Sequence, residues 1–533
     1  MTKVTALRGA EAALQRRAEG ASTPAESPPT EALQRTLGEL KAFGQALGPL
    51  DEGLLRWLEH LLLGDRSGTC TGLPQARAQG WPEMLRAAPT SDLGSEALRL
   101  LVQLRHFDGH DPLTLLRSPL LLPPPPHDAG TEVPELAGLA LADASDVPLH
   151  SIDAHDPHEI DDALWAEAAG DGTLLTIAIA LPGRWLPIGC PADQAACARG
   201  AALYHPRHHA PLLDPRAIAE RGSLRAGERR EALLLRLRVA GDGTLAVLHA
   251  GPAWVRVRAN LSFQDADAAL AGPSPPGWLQ EAFAATQRSE RQRIERGAFL
   301  LYRDDVDLRA PSFAVPRLEP APQAAPARRV VSEAMVLAGV AAARLCGERR
   351  LAVPYRHQSF GRRPSLPPGL YHEPADVHSV LRCMGAGGTD TAPRSHLQLG
   401  VDGYVQIGSP LRRYGDLLAQ QQLLAVLAGK AAPRHASGVA EAIARSAERR
   451  QQLRAAERQG RRTFGLLRLC QEPPGRAQRA QIIEAKGSSC RALMPDWAQE
   501  VELPRLSGAV GAWLRVRIGA IDVASGRVEA EPI

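Results

Sequence analysis

SIDAHDPHEIDDAL, residues 151–164, places five carboxylates within ten positions: Asp153, Asp156, Glu159, Asp161 and Asp162. Asp156-Pro157 disfavours helix at residue 156 and predicts a turn or loop there. Asp161-Asp162 opens the run Ala163-Leu164-Trp165, which leads to the turn Gly170-Asp171-Gly172 and then to the apolar run LLTIAIAL at 174–181. That run reads as a buried strand. The stretch therefore predicts a β-hairpin with acids at its mouth, inside a mixed α/β domain. Carboxylates gathered at a strand end repel one another and are tolerated only when solvated or bound to a cation. One reading is an exposed acidic loop. The other is a site for Mg²⁺, with Mn²⁺ as a variant, since these hard ions prefer oxygen ligands. Two such ions about 4 Å apart would clamp the attacking water and the leaving oxygen of a phosphodiester. The calcium-loop spacing D-x-[DN]-x-[DN]-G is absent.

Outward from this hairpin, residues 232–239 and 245–249 read as further strands. Residues 330–345, 417–427 and the arginine-rich 439–469 read as long helices. Four consecutive prolines, Pro123–Pro126, form a stiff spacer upstream. Before it, leucines at helical spacing (Leu33, Leu37, Leu40; Leu54, Leu58, Leu61) predict a helical module. A helix-turn-helix or winged-helix domain and a bundle packed on the next domain are both open there. Downstream, Gln471-Glu472-Pro473-Pro474-Gly475 ends the last helix. Alternating stretches such as Trp513-Leu514-Arg515-Val516-Arg517-Ile518 then predict a small β-barrel of OB type. The expected architecture is multidomain α+β. It comprises a poorly ordered lead-in at 1–30, a helical module at 31–122, a Pro-rich linker at 123–135, a central domain with a mixed sheet and surrounding helices at 136–472, and an OB-fold barrel at 477–533.

Composition narrows the class. No uninterrupted apolar stretch of about 18 residues is present, so no membrane span is expected. The start carries no apolar signal core, and a cytoplasmic location is the default. Seven scattered cysteines form no CxxC pair, which disfavours zinc and disulfide frameworks. Net charge is only +3, but its carriers are informative. Lysine occurs at only four positions, so arginine supplies nearly all positive charge, a bias that genomic base composition can also produce. From Ala440 to Ala480, ten arginines face four acids. That local excess suits a helix facing nucleic acid.

The pattern I-D-(five residues)-[D/E]-x-D-D-A-L resembles the signature of the RNase II (RNB) family of 3′→5′ exoribonucleases. Further stretches match in order over about residues 148–470. They are Ile177-Ala178-Ile179-Ala180 with Trp185, Tyr204-His205-Pro206 through Leu213 and Ser223-Leu224-Arg225, Val331-Ser332-Glu333-Ala334-Met335, and Gly408-Ser409-Pro410-Leu411-Arg412-Arg413-Tyr414-Gly415-Asp416-Leu417. The resemblance implies an RNB catalytic domain that hydrolyses single-stranded RNA to nucleoside 5′-monophosphates with Mg²⁺. Asp153, Glu159, Asp161 and Asp162 then look like the metal-binding and catalytic acids, with Asp161 the one most needed for cleavage. Arg412 resembles the arginine at the scissile phosphate, with Arg413 beside it on the RNA. Tyr204 and Phe360 resemble the aromatics that stack bases, and Glu457 resembles the acid touching the terminal nucleotide. Residues 31–122 would replace the cold-shock domains that such proteins commonly carry. The expected partner is single-stranded RNA, with a monomeric chain, no membrane and no protein partner.

Departures from the family pattern are also present. Glu159 stands where an Asp is usual, Leu181 where an Asp follows the strand, Gly408 where a Thr is usual, and Gln420-Gln421 where a His-Arg pair is usual. Other readings of single residues stay open. Ser409-Pro410 predicts a helix start, which would place Arg412 and Arg413 in the first turn. There they would be balanced either by a bound anion or by an acid such as Asp416. Tyr204 lies among Arg199, Arg207, His205, His208 and His209, and suits either a stacked base or the core. The histidines read as basic lining. Two rival functions remain at this level, a catalytically silent RNA-binding relative and a DNA nuclease or DNA-binding protein.

Overall fold

The computed structural model describes residues 138–533 apart from 207, 304, 310–315, 474 and 524–525, with four single positions upstream. The expected lead-in at 1–30 and helical module at 31–122 lie outside the described residues, as does most of the linker at 123–135.

A seven-stranded mixed sheet forms the centre, in the order β1-β8-β7-β4-β3-β2-β9. Its strands are β1 (Ala142–Asp143), β2 (His150–Asp153), β3 (Asp162–Ala169), β4 (Gly172–Ala180), β7 (Arg229–Val239), β8 (Leu245–Arg256) and β9 (Ala259–Ser262). A separate two-stranded ribbon, β5 (Leu203–His205) and β6 (His208–Ala210), lies between β4 and β7 in sequence. The β3–β4 hairpin turns at Gly170-Asp171, where Gly170 has φ +64°, a value glycine adopts without a Cβ penalty. Strand β4 explains its own sequence. Leu175, Ile177 and Ile179 enter one core cluster, whereas Ala178 and Ala180 enter the other. Alternate residues of a strand face opposite sides, and a continuous apolar run is what a sheet covered on both faces requires.

Helices α2 (Phe263–Ala271), α3 (Gly277–Glu295) and α4 (Pro326–Glu348) cover the leucine–isoleucine face. Helix α4 alone among the described residues is long and apolar enough to cross a membrane by composition. In this fold it is a core helix, with Val330, Ala334, Leu337, Ala338 and Ala341 buried. The alanine face carries α1 (Pro191–Arg199) and α5 (Tyr414–Leu427). Small side chains there let α5 approach closely enough for Gln420 Nε2 to donate to the Ala180 carbonyl at 2.8 Å.

Helix α6 (Ala436–Leu469) runs 34 residues, about 50 Å at 1.5 Å per residue. Leu453 and Ala456 pack on Leu203 of β5, and Leu466 and Leu469 enter the core of the C-terminal barrel. That barrel is closed by five strands, Ala477–Lys486, Ser489–Met494, Gln499–Pro504, Trp513–Asp522 and Arg527–Pro532. Their order 1-2-3-5-4, with the first also pairing the fourth, agrees with the expected OB-type barrel.

Two expectations need correction. The strand read at 245–249 continues to Arg256, through Gly251-Pro252. Proline is tolerated there because β1 covers only Ala253 and Trp254, leaving β8 an edge at Pro252. The helix expected from Ser409-Pro410 begins instead at Tyr414. Residues 409–413 form a turn, with the Arg412 and Arg413 amides donating to the Ser409 carbonyl.

Candidate active site

Three elements bring the acids together. Asp153 ends β2, opposite Ser262 of β9, and Asp162 opens β3, opposite Ile179 of β4. Glu159 and Asp161 sit in the loop between them. That loop is pinned by Ile160, whose amide donates to Ser223 Oγ at 3.0 Å and whose carbonyl accepts from the Leu224 amide. The Asp161 carbonyl accepts from the Ala180 amide at 2.7 Å, tying the loop to the end of β4.

Glu159, Asp161 and Asp162 are all buried. Burial pushes Asp153 up to about 6, the charge of Asp161 adding and the Ser151 hydrogen bond opposing. Burial pushes Glu159 up to about 8, aided by the charges of Asp161 and Asp153 and opposed by Arg412. Asp162 rises well above the usual carboxylate range, through burial and then repulsion from Asp153 and Asp161. Burial also raises Asp161, against the pull of Arg412 and the Leu411 amide. Desolvation and like charge act together, a combination that clusters at functional sites.

Arg412 supplies the nearby cation. Its Nε donates to Asp161 Oδ2 at 2.9 Å and its Nη2 to Ser409 Oγ at 2.9 Å. The Leu411 amide donates to Asp161 Oδ1 at 2.9 Å. Arg413 is used differently. Its Nε and Nη2 donate to Asp416 Oδ2 at 3.0 and 2.7 Å, and the Ser409 amide donates to the same oxygen. Of the two alternatives for Arg413, an anion or Asp416, the structure displays Asp416.

Tyr204 lies on β5. Its hydroxyl hydrogen-bonds Glu159 Oε1, and its amide donates to Glu457 Oε1 at 2.9 Å. Burial raises Glu457 to about 7, opposed by Arg461, Arg454 and Arg458. His209 Nε2 stands 3.7 Å from Glu159 Oε2, and its ring stacks on His158 with centroids 3.9 Å apart. Tyr204 tilts against His209 at 5.0 Å. The histidines thus divide: His209 joins the acids, whereas His205 is buried edge-on to Phe464 rather than lining a channel. The stacking of His158 on His209 was missed in the sequence: His209 lies close to Tyr204 in the chain, but His158 does not. Phe360 packs edge-on to Phe299 at 5.2 Å.

The departures have local reasons. A Cβ at Gly408 would come within 2.3 Å of Met335 Sδ. Leu181 is buried in the core. Gln421 Nε2 donates to the Leu186 carbonyl and to Asp193 Oδ1. Gln421 thereby ties helix α5 to α1.

Among the described residues, no three His, Cys, Asp or Glu side chains form a ready metal-ligand set. The donor chemistry nevertheless fits a hard divalent cation. Asp153 Oδ2 and Glu159 Oε2 are buried without a hydrogen-bond partner, and the group holds more acids than nearby cations balance. Asp161 is held by Arg412 and the Leu411 amide, and Glu159 Oε1 by the Tyr204 hydroxyl.

Comparison with known proteins gives a consistent picture. The RNB domain family matches residues 142–367 and 369–429. An uncharacterised ribonuclease of Synechocystis is 30% identical over 353 residues, covering 63% of this chain and 52% of that protein. The chain spans about half the length of the curated relatives it matches. Among solved structures, the Dss1 exoribonuclease active-site mutant from Candida glabrata superposes with a TM-score of 0.74 at 16% identity, covering 95% of this chain and 69% of that one. Mycoplasma genitalium RNase R in complex with ribose-methylated single-stranded RNA gives 0.64 at 16% identity, covering 74% and 72%. At such identities these two likenesses establish the fold.

Proposed function

Because the chain belongs to the RNB domain family, we propose that it hydrolyses single-stranded RNA from the 3′ end, releasing nucleoside 5′-monophosphates. The observation that carries this reading is Asp153 together with the buried Glu159, Asp161 and Asp162, with two unsatisfied buried oxygens, beside Arg412. A Mg²⁺ or Mn²⁺ ion held by these four acids would polarise the phosphate and acidify a bound water.

The remaining roles belong to the chain's own residues. Arg412 fixes Asp161 through Nε and leans on Ser409 through Nη2, while its Nη1 takes part in neither bond. That nitrogen is the donor available to a phosphate oxygen, in the fork geometry that suits arginine. Tyr204 offers a half-buried ring for the terminal base or sugar, and its hydroxyl holds Glu159. Glu457 fixes the Tyr204 backbone from α6. Phe360 would stack a second base. Polarity and product are those implied by the family resemblance.

The test is purified protein with a 5′-labelled oligoribonucleotide and Mg²⁺. The expected result is a ladder shortening from the 3′ side that Asp161→Asn abolishes. Wild type and Asp161→Asn giving the same lack of products would sink the reading. A second reading, an RNA-binding relative without turnover, is favoured by one observation: both Asp161 oxygens are engaged, by Leu411 and Arg412. Tight Mg²⁺-independent binding of intact RNA would select it.

A further inference from the structure

Helix α6 borders a concavity of about 370 Å³. Its far wall is the two-stranded ribbon formed by Tyr355–His357 and Gly388–Asp390. Four of its lining residues are arginines, Arg356, Arg450, Arg454 and Arg458, and none is acidic. The volume falls in the range of small-molecule sites, about 300–1,000 Å³.

Three features set this cavity apart from an ordinary solvated basic face. Arg450 Nε is buried without a hydrogen-bond partner. The acid whose charge acts on Arg450, Asp416, already accepts from Arg413 and from the Ser409 amide. Arg356 reaches only a neutral partner among its side-chain bonds, Gln406 Oε1 at 2.9 Å. Burial, and then repulsion from Arg356 and Arg454, pulls Arg450 down to about 10. Arg356 is lowered by burial and by Arg454 in the same way. Guanidinium groups so placed are stabilised by an anion, and arginine matches phosphate oxygens in a bidentate way.

The helix also explains the site's position. Arg450, Arg454 and Arg458 recur every four residues and share one flank of α6. Leu453 and Ala456, on the neighbouring flank, pack on Leu203. Glu457, between the two flanks, accepts from Tyr204. A ligand in the cavity therefore lies one flank of a single helix away from Glu457, which reaches Glu159 through Tyr204.

We infer that this arginine-lined cavity binds a phosphate ester, the phosphate of a nucleotide. The inference deepens the RNA-hydrolase reading and rests on it for the identity of the ester. Two sources share the chemistry: a released nucleoside 5′-monophosphate and a backbone phosphate of the RNA.

The test measures binding to the full chain in EDTA, by calorimetry, with AMP and separately with a 2′-O-methyl oligoribonucleotide. The variants are Arg450→Gln, Arg454→Gln and, as a charge-preserving control, Arg450→Lys. Arg454 is exposed, so Arg454→Gln probes the cavity without a folding burden. Each Gln variant is expected to weaken binding of at least one probe about tenfold, the scale of one charge-assisted hydrogen bond. Arg450→Lys should weaken it less, and Asp161→Asn should leave it in place. Loss with AMP identifies the released product as a sufficient source. Loss with the oligonucleotide alone identifies the RNA backbone. Unchanged affinity for both probes in both Gln variants overturns the inference, as does AMP binding that only Arg412→Gln removes. RNA cleavage is followed in parallel. Arginine-dependent binding without cleavage would remove the hydrolase reading and leave this site standing, whereas cleavage with unchanged binding would remove the site alone.

Discussion

Arg412 Nε and Asp161 Oδ2 meet at 2.9 Å across 251 positions of sequence. Their surroundings differ: the Asp161 side chain is 3% exposed and that of Arg412 is 41% exposed. Removing one partner therefore has a different cost from removing the other. Arg412→Ala leaves a carboxylate buried without its cation, and is expected to destabilise the chain by about 2 kcal/mol at pH 8, less than a fully buried pair would lose. Asp161→Asn leaves a half-exposed guanidinium that water can reach, and it relieves repulsion on Asp162. It should leave stability unchanged or raised. Both variants should lose RNA hydrolysis by at least about a hundredfold. Urea denaturation alongside a cleavage assay checks this, and equal destabilisation by both variants would contradict the asymmetry.

The acids also predict a pH dependence. The folded-state values of Asp153, Glu159 and Asp162 lie above their unfolded ones, at about 6, about 8 and well above 3.8. The folded chain then holds more protons, so stability falls as pH rises through those values. His396 acts in the opposite sense. Burial and the charge of Arg356 lower it to about 4, so its contribution is lost as pH falls from 6.5 towards 4 and is complete above 6.5. Between pH 6.5 and 8.5 the acids therefore set the slope, on the order of 1 kcal/mol per pH unit for each proton released. In EDTA, the thermal midpoint should fall over this window. Mg²⁺ should raise it more at pH 8 than at pH 6, and Glu159→Gln should flatten the fall. A flat midpoint in EDTA would show that the acids carry no charge strain.

How much of this was legible in the sequence depended on whether the cause was local. The β3–β4 hairpin could be read because its acids, turn glycine and apolar run lie side by side in the chain. The 439–469 helix was readable for the same reason, as an unbroken run before Pro473-Pro474. The start of α5 was misread because its cause is not local. Ser409-Pro410 has the form of a helix start, yet the Arg412 carbonyl accepts from the Ala202 amide and the Arg413 backbone bridges Ala201. That pairing with the chain before β5 holds 409–413 out of the helix, and Asp416 then binds Arg413 at the new N-terminus. The arginine excess of α6 was visible, but not the ribbon that faces it, since Gly388-Thr389-Asp390 is only three residues long and carries no apolar pattern. The acids could be named, but not their partners: nothing near Glu159 in sequence announces the Tyr204 hydroxyl.

Tyr204 separates two roles in one side chain. Its ring provides a stacking surface, and its hydroxyl binds Glu159. Tyr204→Phe keeps the ring and frees Glu159, so RNA affinity should hold while the metal dependence of cleavage shifts. Tyr204→Ala removes both and should weaken RNA binding by about tenfold, the scale of one base–aromatic stack. Fluorescence anisotropy with a labelled oligoribonucleotide in EDTA distinguishes them, and equal affinity for Phe and Ala variants would remove stacking from the account.

Gly460 tests whether α6 positions β5. A Cβ there would come within 2.4 Å of the His205 ring and 3.2 Å of Pro206. His205 is buried against Phe464 and cannot swing into solvent. Alanine is the better helix former by about 1 kcal/mol, but overpacking typically costs about 1–3 kcal/mol. The clash should therefore win, and Gly460→Ala should move β5 away from α6. Tyr204, one residue from His205, would lose its bond to Glu457. The expected result is a raised KM with a smaller change in kcat, together with a modest loss of stability. Gly475→Ala provides a contrast: its φ is +78° and no atom lies near its Cβ, so it should cost some stability and leave KM alone. Equal KM values for the two variants would mean that Tyr204 is not held through α6.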